Sequence, residues 1–210
     1  MSRFGPDPLA FFNSVYTQQP PWDIGQPQPA MAALLAEYPP SGPILDVGCG
    51  SGDLALYLAH RGYPVLGVDF VEAAITTAEA RRRLLPAEAA GRASFQVADA
   101  LQPSRLRRQF GSVVDSGFLH LFDPAQGDAF LAELALILPP GGRYYLHAFA
   151  IEFPVPNVPR AITTDEVRAR FTADTGWTIR AIHTTEFLSR VAPPVPATCA
   201  CIERTAPGRA

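Results

Sequence analysis

The segment Asp46-Val47-Gly48-Cys49-Gly50-Ser51-Gly52 constrains this chain more than any other stretch. An apolar run, Pro43 to Val47, leads into it, and an amphipathic stretch, Asp53 to His60, leaves it. Three glycines at alternate positions let a backbone turn tightly from strand into helix, and let a ligand approach without meeting a Cβ atom. The helix that follows offers free N–H groups and the positive end of its dipole. A dinucleotide fold would set a pyrophosphate there. Two details oppose that ligand. Position 53 is Asp rather than the third glycine of the dehydrogenase fingerprint. Asp46 also stands two residues before the first glycine, where a carboxylate repels a polyphosphate and attracts a cation.

The rest of the chain alternates in the same way. Tyr63 to Asp69, Ala93 to Ala98, Ser112 to Val114 and Arg143 to Phe149 read as further strands. Helices are predicted over Gln28 to Glu37 (with Pro29 in the first turn), Val71 to Leu84 and Gln126 to Leu138. Strands alternating with helices imply a parallel sheet covered on both faces. After the Pro-rich loop Phe153 to Arg160, Thr163 and Glu166 fit a capping box for a helix ending at Phe171. Trp177 to Thr184 and Ala197 to Arg204 follow with no crossover helix between them, which predicts an antiparallel pair. The fold expected is α/β: a Rossmann-like, seven-stranded, mostly parallel sheet with helices on both faces and an antiparallel C-terminal strand pair. It is read as one domain over residues 1–210. The core is 43–149, the substrate-side loop and strands are 150–210, and 1–29 are an irregular, aromatic lid or cap.

Composition narrows the function. The 210 residues carry 17 basic side chains, all Arg, against 20 acidic ones, for a net charge of -3. No excess positive charge faces a nucleic acid, and no Lys is present for a Schiff base or a phosphate loop. Three Cys make neither a disulfide framework nor a metal site, so no metal is expected. No apolar run reaches the roughly 18 residues of a membrane span, and the N-terminus has no secretory h-region. A soluble, cytoplasmic, monomeric protein is expected, with no nucleic-acid or membrane partner. The Arg81-Arg82-Arg83 and Arg105/Arg107/Arg108 clusters read as solvated helix faces.

Four consecutive strands finish in Asp: Asp46, Asp69, Asp99 and Asp115. The carboxyl edge of an open parallel sheet is where its ligands bind. An acid at Asp69, 19 residues after Gly50, can accept from both hydroxyls of a ribose. An acid at Asp99 can accept from an exocyclic adenine amine. One such Asp is readily explained as a turn residue or helix cap; four in register are not.

The array resembles the class I S-adenosylmethionine-dependent methyltransferases over about Pro43 to Phe149. The resemblance implies S-adenosyl-L-methionine as cofactor and S-adenosyl-L-homocysteine as product. It sets the loop from Asp46 through Gly48, Cys49 and Gly50 to Gly52 against the methionyl part, and Asp69 on the ribose with Phe70 packed on the adenine. It puts Asp99 and Ala100 at the adenine edge, and Asp115, Ser116 and Gly117 at the methionyl end. A narrower resemblance rests on Pro21 to Pro29, Asp115 to His120, Pro159-Arg160 with Thr163-Thr164, and Gly176-Trp177. These are similar to small-molecule methyltransferases related to thiopurine methyltransferase, and most of all to the bacterial heterocyclic toxin methyltransferases acting on hydroxyquinolone-like rings. It implies detoxifying transfer of a methyl group to O, N or S of a small aromatic heterocycle. Two departures stand out: Ala161 follows Arg160 where relatives often carry a second Arg, and Ala148-Phe149-Ala150 replaces a polar residue.

Phe12, Tyr16, Phe118 and Phe149 suit a flat apolar ring. Trp22 and Gly25 lie in the segment expected to close over the cofactor, and Arg160 is the cation available to anchor an acceptor. Methyl transfer needs alignment and exclusion of water, and a base only where the acceptor still holds its proton. His120 is the candidate base, with an unperturbed pKa suited to that task; a loop histidine held by hydrogen bonds is the competing reading. Two other functions fit the same sheet: a nicotinamide-dependent oxidoreductase and a non-catalytic cofactor-binding module.

Overall fold

The computed structural model describes residues 4–155 and 157–205. Seven strands form one sheet: β1 (Ile44–Val47), β2 (Val65–Asp69), β3 (Ala93–Val97), β4 (Ser112–Ser116), β5 (Arg143–Phe149), β6 (Trp177–Phe187) and β7 (Val195–Arg204). Their order is β3-β2-β1-β4-β5-β7-β6. The first five pair in parallel, whereas β7 runs antiparallel between β5 and β6. The chain reverses its winding at β1, so the β1 and β4 ends flank the crevice where open α/β sheets bind ligands.

The helices are α1 (Pro8–Val15), α2 (Pro29–Glu37), α3 (Asp53–His60), α4 (Glu72–Arg82), α5 (Ala87–Ala90), α6 (Pro124–Ile137) and α7 (Thr164–Arg170). Period-2 alternation sorts the strand side chains between two cores. Leu45, Val47, Val113, Tyr144 and Leu146 pack with Phe130 and Leu134 of α6 and with Val167 of α7. Ile44, Val114 and Tyr145 pack on the other face with Met31 and Leu34 of α2 and with Leu54 and Leu58 of α3. β1 and β2 are buried at every position, as expected of parallel strands covered on both sides.

Several local features differ from the sequence reading, among them β6, which runs three residues past Thr184 to Phe187, and the unpredicted α5. The N-terminal segment holds a helix: the Ala10 N–H donates to Asp7 Oδ1 at 2.9 Å, and Pro8 fills the first turn. Asp followed by Pro is a helix start; the density of prolines hid it. At α7, Thr163 accepts from the Glu166 N–H, but the Glu166 carboxylate turns to Arg160 and Arg170 instead of closing a capping box. The complete box is at α6, between Asp123 and Gln126. β4 also runs two residues further than expected, which puts Asp115 inside the strand, and Asp99 lies two residues beyond the end of β3.

Gly67, in the middle of β2, makes room for the glycine loop. A Cβ there would stand 2.6 Å from the Phe95 ring and 2.9 Å from Cys49 Sγ. Gly67→Ala is therefore expected to cost about 1–3 kcal/mol, read as a lower urea midpoint at unchanged m value. Adding Phe95→Leu should recover part of that loss. Equal stability of Gly67→Ala and the parent would show that the close approach carries no strain.

Candidate active site

The glycine loop leaves β1 with Gly48, Gly50 and Gly52 all at positive φ, between +54° and +87°. Side chains are excluded on all three for lack of space as well: a Cβ on Gly48 would stand 2.6 Å from Phe118, one on Gly50 2.8 Å from the Tyr16 hydroxyl, and one on Gly52 2.9 Å from the Phe95 ring. The loop is held by the neighbouring strand. The Cys49 N–H donates to Val68 O at 3.0 Å, and the Gly50 N–H donates to Asp69 Oδ2 at 3.0 Å. Asp69 Oδ1 accepts from the Val71 N–H at 2.9 Å, so one carboxylate sets both the loop and the start of α4.

The four acids occupy different environments. Asp115 is fully buried; its carboxylate accepts from the Phe118 and Leu119 N–H groups and from the Tyr144 hydroxyl at 2.6 Å. Burial nevertheless pushes its pKa up to about 6. It does not line the cavity beside it, whereas its neighbours Ser116 and Gly117 do. Asp115 therefore shapes the turn that presents them. Asp69 is also raised by burial, against the pull of its backbone donors. Asp99 is exposed, accepts from the Leu101 N–H and the Gln102 amide, and lines the cavity with Ala100. Asp46 is the exception among them. It is buried, it lines the cavity, and its Oδ2 has no hydrogen-bond partner. Burial, followed by the charge of Asp115, holds its pKa well above the ordinary carboxylate range.

Asp46, Asp69 and Asp99 line one cavity of about 770 Å³, within the range of roughly 300–1,000 Å³ usual for small-molecule sites. By residue type its lining has two halves. One is acidic, with Asp23, Asp46, Asp53 and Asp69 beside the glycine loop; the other is aromatic, with Phe11, Phe12, Phe118, Phe149, Phe187 and His120. The two meet where Phe118 lies against Gly48 and Phe12 packs on Trp22 and Phe70, which also line the cavity. An unpartnered buried carboxylate oxygen among further acids fits a cationic ligand, and it opposes a pyrophosphate. Tyr16 bridges the halves. Burial and then the charge of Asp69 hold its hydroxyl above its ordinary range, so it stays protonated.

Besides Asp115, three expected site residues lie off the cavity lining. Gly25 and Gly52 do not line the cavity; the Gly25 N–H donates to Asp23, and Gly52 lies against Phe95. Arg160 is committed to other partners. Its guanidinium grips both oxygens of Glu166 at 2.7 and 2.8 Å and donates to the carbonyls of Phe122 and Ala161. It does not face the cavity. Asp23, Asp53 and Phe187 are among the lining residues that the sequence left unassigned. Asp53 was visible as the residue after the last glycine. Phe187 comes from the far end of β6 and carries no local signal.

His120 lines the aromatic half, but in a state unlike the one expected. Its Nδ1 accepts from the Phe149 N–H at 3.1 Å, and its ring lies 4.6 Å from that of Phe149. Burial, then the neighbouring His147 and Arg160, lower its pKa to about 3, against a hydrogen bond with the Gly117 backbone. An imidazole in that state is a strut between the ends of β4 and β5. His147 behind it is stacked on Phe187, and burial lowers it to about 4.

The family model described as a methyltransferase domain matches residues 44–142. A 2-heptyl-1-hydroxyquinolin-4(1H)-one methyltransferase of Mycobacteroides abscessus is 31% identical over 165 residues, covering 77% of this chain and 70% of that protein. A structure solved in work on conversion of a disulfide bond into a thioacetal group during echinomycin biosynthesis superposes with a TM-score of 0.77. It has 30% identity, with coverage of 94% and 93% of the two chains. The magnesium protoporphyrin IX methyltransferase of Synechocystis with bound SAM shares the fold at a TM-score of 0.64, with 23% identity over 83% and 76% of the chains. Among the described residues no helix is long and apolar enough to cross a membrane.

Both histidines bind protons less readily in the folded protein than in the unfolded chain, where the ordinary value is 6.5. Their contribution to stability is present above pH 6.5 and is lost as pH falls toward 4 and 3. His120→Gln keeps an acceptor for the Phe149 N–H and removes one of these groups. Relative to that variant, the parent should lose on the order of 3 kcal/mol between pH 7 and pH 4 in urea titrations. Parallel losses in the two proteins would mean that His120 is not held neutral by the fold.

Proposed function

The chain belongs to the S-adenosylmethionine-dependent methyltransferases of the small-molecule type, and from that premise we propose that it methylates O, N or S of a flat, apolar heterocycle that reaches the site already deprotonated. The cofactor, when bound, supplies an electrophilic methyl carbon on a cationic sulfur. The observation that carries the reading is one cavity whose lining carries both carboxylates and aromatic rings. The hydroxyquinolone acceptor named for the Mycobacteroides abscessus relative is a ring of the kind such a half accepts.

On this reading Asp46 answers the cofactor's positive charge, because among the described residues its free oxygen is the one buried side-chain acceptor on that wall without a donor. Gly48, Cys49, Gly50, Ser116 and Gly117 give backbone close to the methionyl part. Asp69 keeps a lone pair on each oxygen for the ribose, beyond those taken by Gly50 and Val71. Phe70, Asp99 and Ala100 flank the adenine, and Trp22 closes the mouth. Phe12, Tyr16, Phe118 and Phe149 hold the acceptor flat and keep water out. A nicotinamide cofactor is not favoured beside Asp46, since a pyrophosphate would meet its charge.

The proton follows from His120. A ring with a pKa near 3 takes no proton at neutral pH, and its Nδ1 is occupied. General-base work needs a pKa near the working pH. The acceptor must therefore shed its own proton in water, as an acidic N-hydroxy, phenol or thiol group does. The aromatic lining would then hold an anionic nucleophile, and no side chain need take a proton from it.

Two measurements check this. Calorimetric titration should show S-adenosylhomocysteine binding to the protein, weakened about tenfold or more in Asp69→Ala; no binding by the parent at high micromolar concentration overturns the reading. Across phenols and thiols of graded acidity, the pH midpoint of kcat/KM should move with the acceptor's own pKa, in the parent and in His120→Gln alike. A midpoint that stays fixed across acceptors and disappears in His120→Gln would restore His120 as the base.

A further inference from the structure

The first arginine of the 81–83 run is not a solvated surface charge. Arg81, near the end of α4, reaches three other segments. Its Nη2 meets Asp23 Oδ2 at 2.8 Å, and its Nη1 meets Asp53 Oδ1 at 2.7 Å and Ser51 Oγ at 3.0 Å. Ser51 in turn donates its hydroxyl to the same Asp23 oxygen. One guanidinium thus joins the N-terminal segment, the glycine loop and the first turn of α3. By contrast Arg82 pairs along its own helix with Glu79 and donates to the Ala90 carbonyl of α5.

Asp23 is the unusual partner. It lies in an irregular segment, yet its side chain is only 3% exposed. A buried carboxylate is costly unless charge and donors compensate it. Here burial raises its pKa, but the Ser51 hydroxyl and Arg81 outweigh burial and hold it below the ordinary value. The compensation exists only while the segment is docked. The segment also lines both halves of the cavity, through Tyr16, Trp22, Asp23 and Gln28. Its other end is fastened to the loop after β6. The Gln28 amide exchanges two hydrogen bonds with the Leu188 backbone at 2.8 and 3.0 Å, and the Arg190 N–H donates to Pro21 O.

Charge makes the docked state responsive to the ligand. A single guanidinium faces two carboxylates, and Asp46 and Asp69 stand on the same cavity wall. Burial, and then the charge of Asp23, raise Asp53 to about 6. Bringing Asp23 down beside Asp53 therefore adds like charge to an already negative wall. A cation in the cavity relieves it, and the ammonium of the methionyl part, which S-adenosylhomocysteine retains, supplies that charge. By linkage, whatever favours the docked segment must favour the cation to the same extent.

We propose that Arg81 is a positioning residue that latches the N-terminal segment through Asp23 onto the glycine loop, so that cofactor binding and completion of the acceptor half are coupled. The inference rests on the cofactor reading above. A lysine cannot replace it, because a point charge lacks the fork that spans Asp23 and Asp53 at once.

The test is hydrogen exchange of residues 17–28, read with and without saturating S-adenosylhomocysteine, alongside calorimetry. In the parent the ligand should slow exchange of that peptide about fivefold or more. Arg81→Gln and the isosteric Asp23→Asn should each weaken S-adenosylhomocysteine binding about tenfold and abolish the protection, with Arg81→Lys close to Arg81→Gln. The double variant should bind no worse than about twofold below the weaker single one, because both remove the same contact. A merely structural role would lower thermal stability without removing the ligand-dependent protection. Failure of the parent to bind S-adenosylhomocysteine overturns the cofactor reading itself. Binding by the parent with unchanged exchange of 17–28, or with Asp23→Asn within about twofold of the parent, overturns the latch alone.

Discussion

Crowded carboxylates at one edge of a parallel sheet are the constraint on which the rest of this structure depends. Each would be expensive if left bare in so dry a place, and the fold compensates them in different ways. Asp115 takes two backbone N–H groups and a tyrosine hydroxyl. Asp69 takes two backbone N–H groups, one from the glycine loop and one from the start of α4. Asp23 takes Ser51 and Arg81. Those bonds also fix the turns that form the crevice, so electrostatic compensation and site geometry have the same cause. Asp46 is left with a free buried oxygen. On the proposed reading a cationic cofactor answers that deficit, and a glycine loop so like a dinucleotide site serves a different ligand.

The aromatic half follows from chain topology more than from any motif. β6 and β7 close the sheet beyond β5, and the last residue of β6 brings Phe187 against His120, His147 and Phe149. From the opposite end of the chain, α1 packs Phe12 on Val71 and Ala74 at the start of α4. Apolar packing of this kind leaves the imidazoles neutral. On the proposed reading it moves the acid–base step away from the protein and onto the acceptor. Arg160, drawn off by Glu166, adds no charge to this half.

Much of this was legible in the sequence for physical reasons. Asp53–His60 and Arg143–Phe149 were placed residue for residue because their ends are punctuated, by Gly52 on one side and by Gly141-Gly142 on the other. Strands buried on both faces read as short apolar runs bounded by turns. The antiparallel pair was visible because no crossover fits between its members. α1 was missed because six prolines in 29 residues masked an Asp-Pro helix start. The capping box was assigned to α7 and belongs to α6, since a Glu at the third position can serve either its own cap or a neighbouring arginine, and Arg160 and Arg170 are close enough to take it.

The sequence by itself determined the sheet, the glycine loop and the acids at the strand ends, because backbone turns and period-2 burial are local and leave local marks. Tertiary structure alone decided what each charged or titratable group does. His120 reads as a base by type and becomes a neutral strut through burial. Arg81 reads as a surface charge and becomes a clamp because Asp23, 58 residues away in sequence, folds down onto it. Desolvation and charge pairing depend on what surrounds a group in space, and that is set by contacts between distant segments rather than by neighbours along the chain.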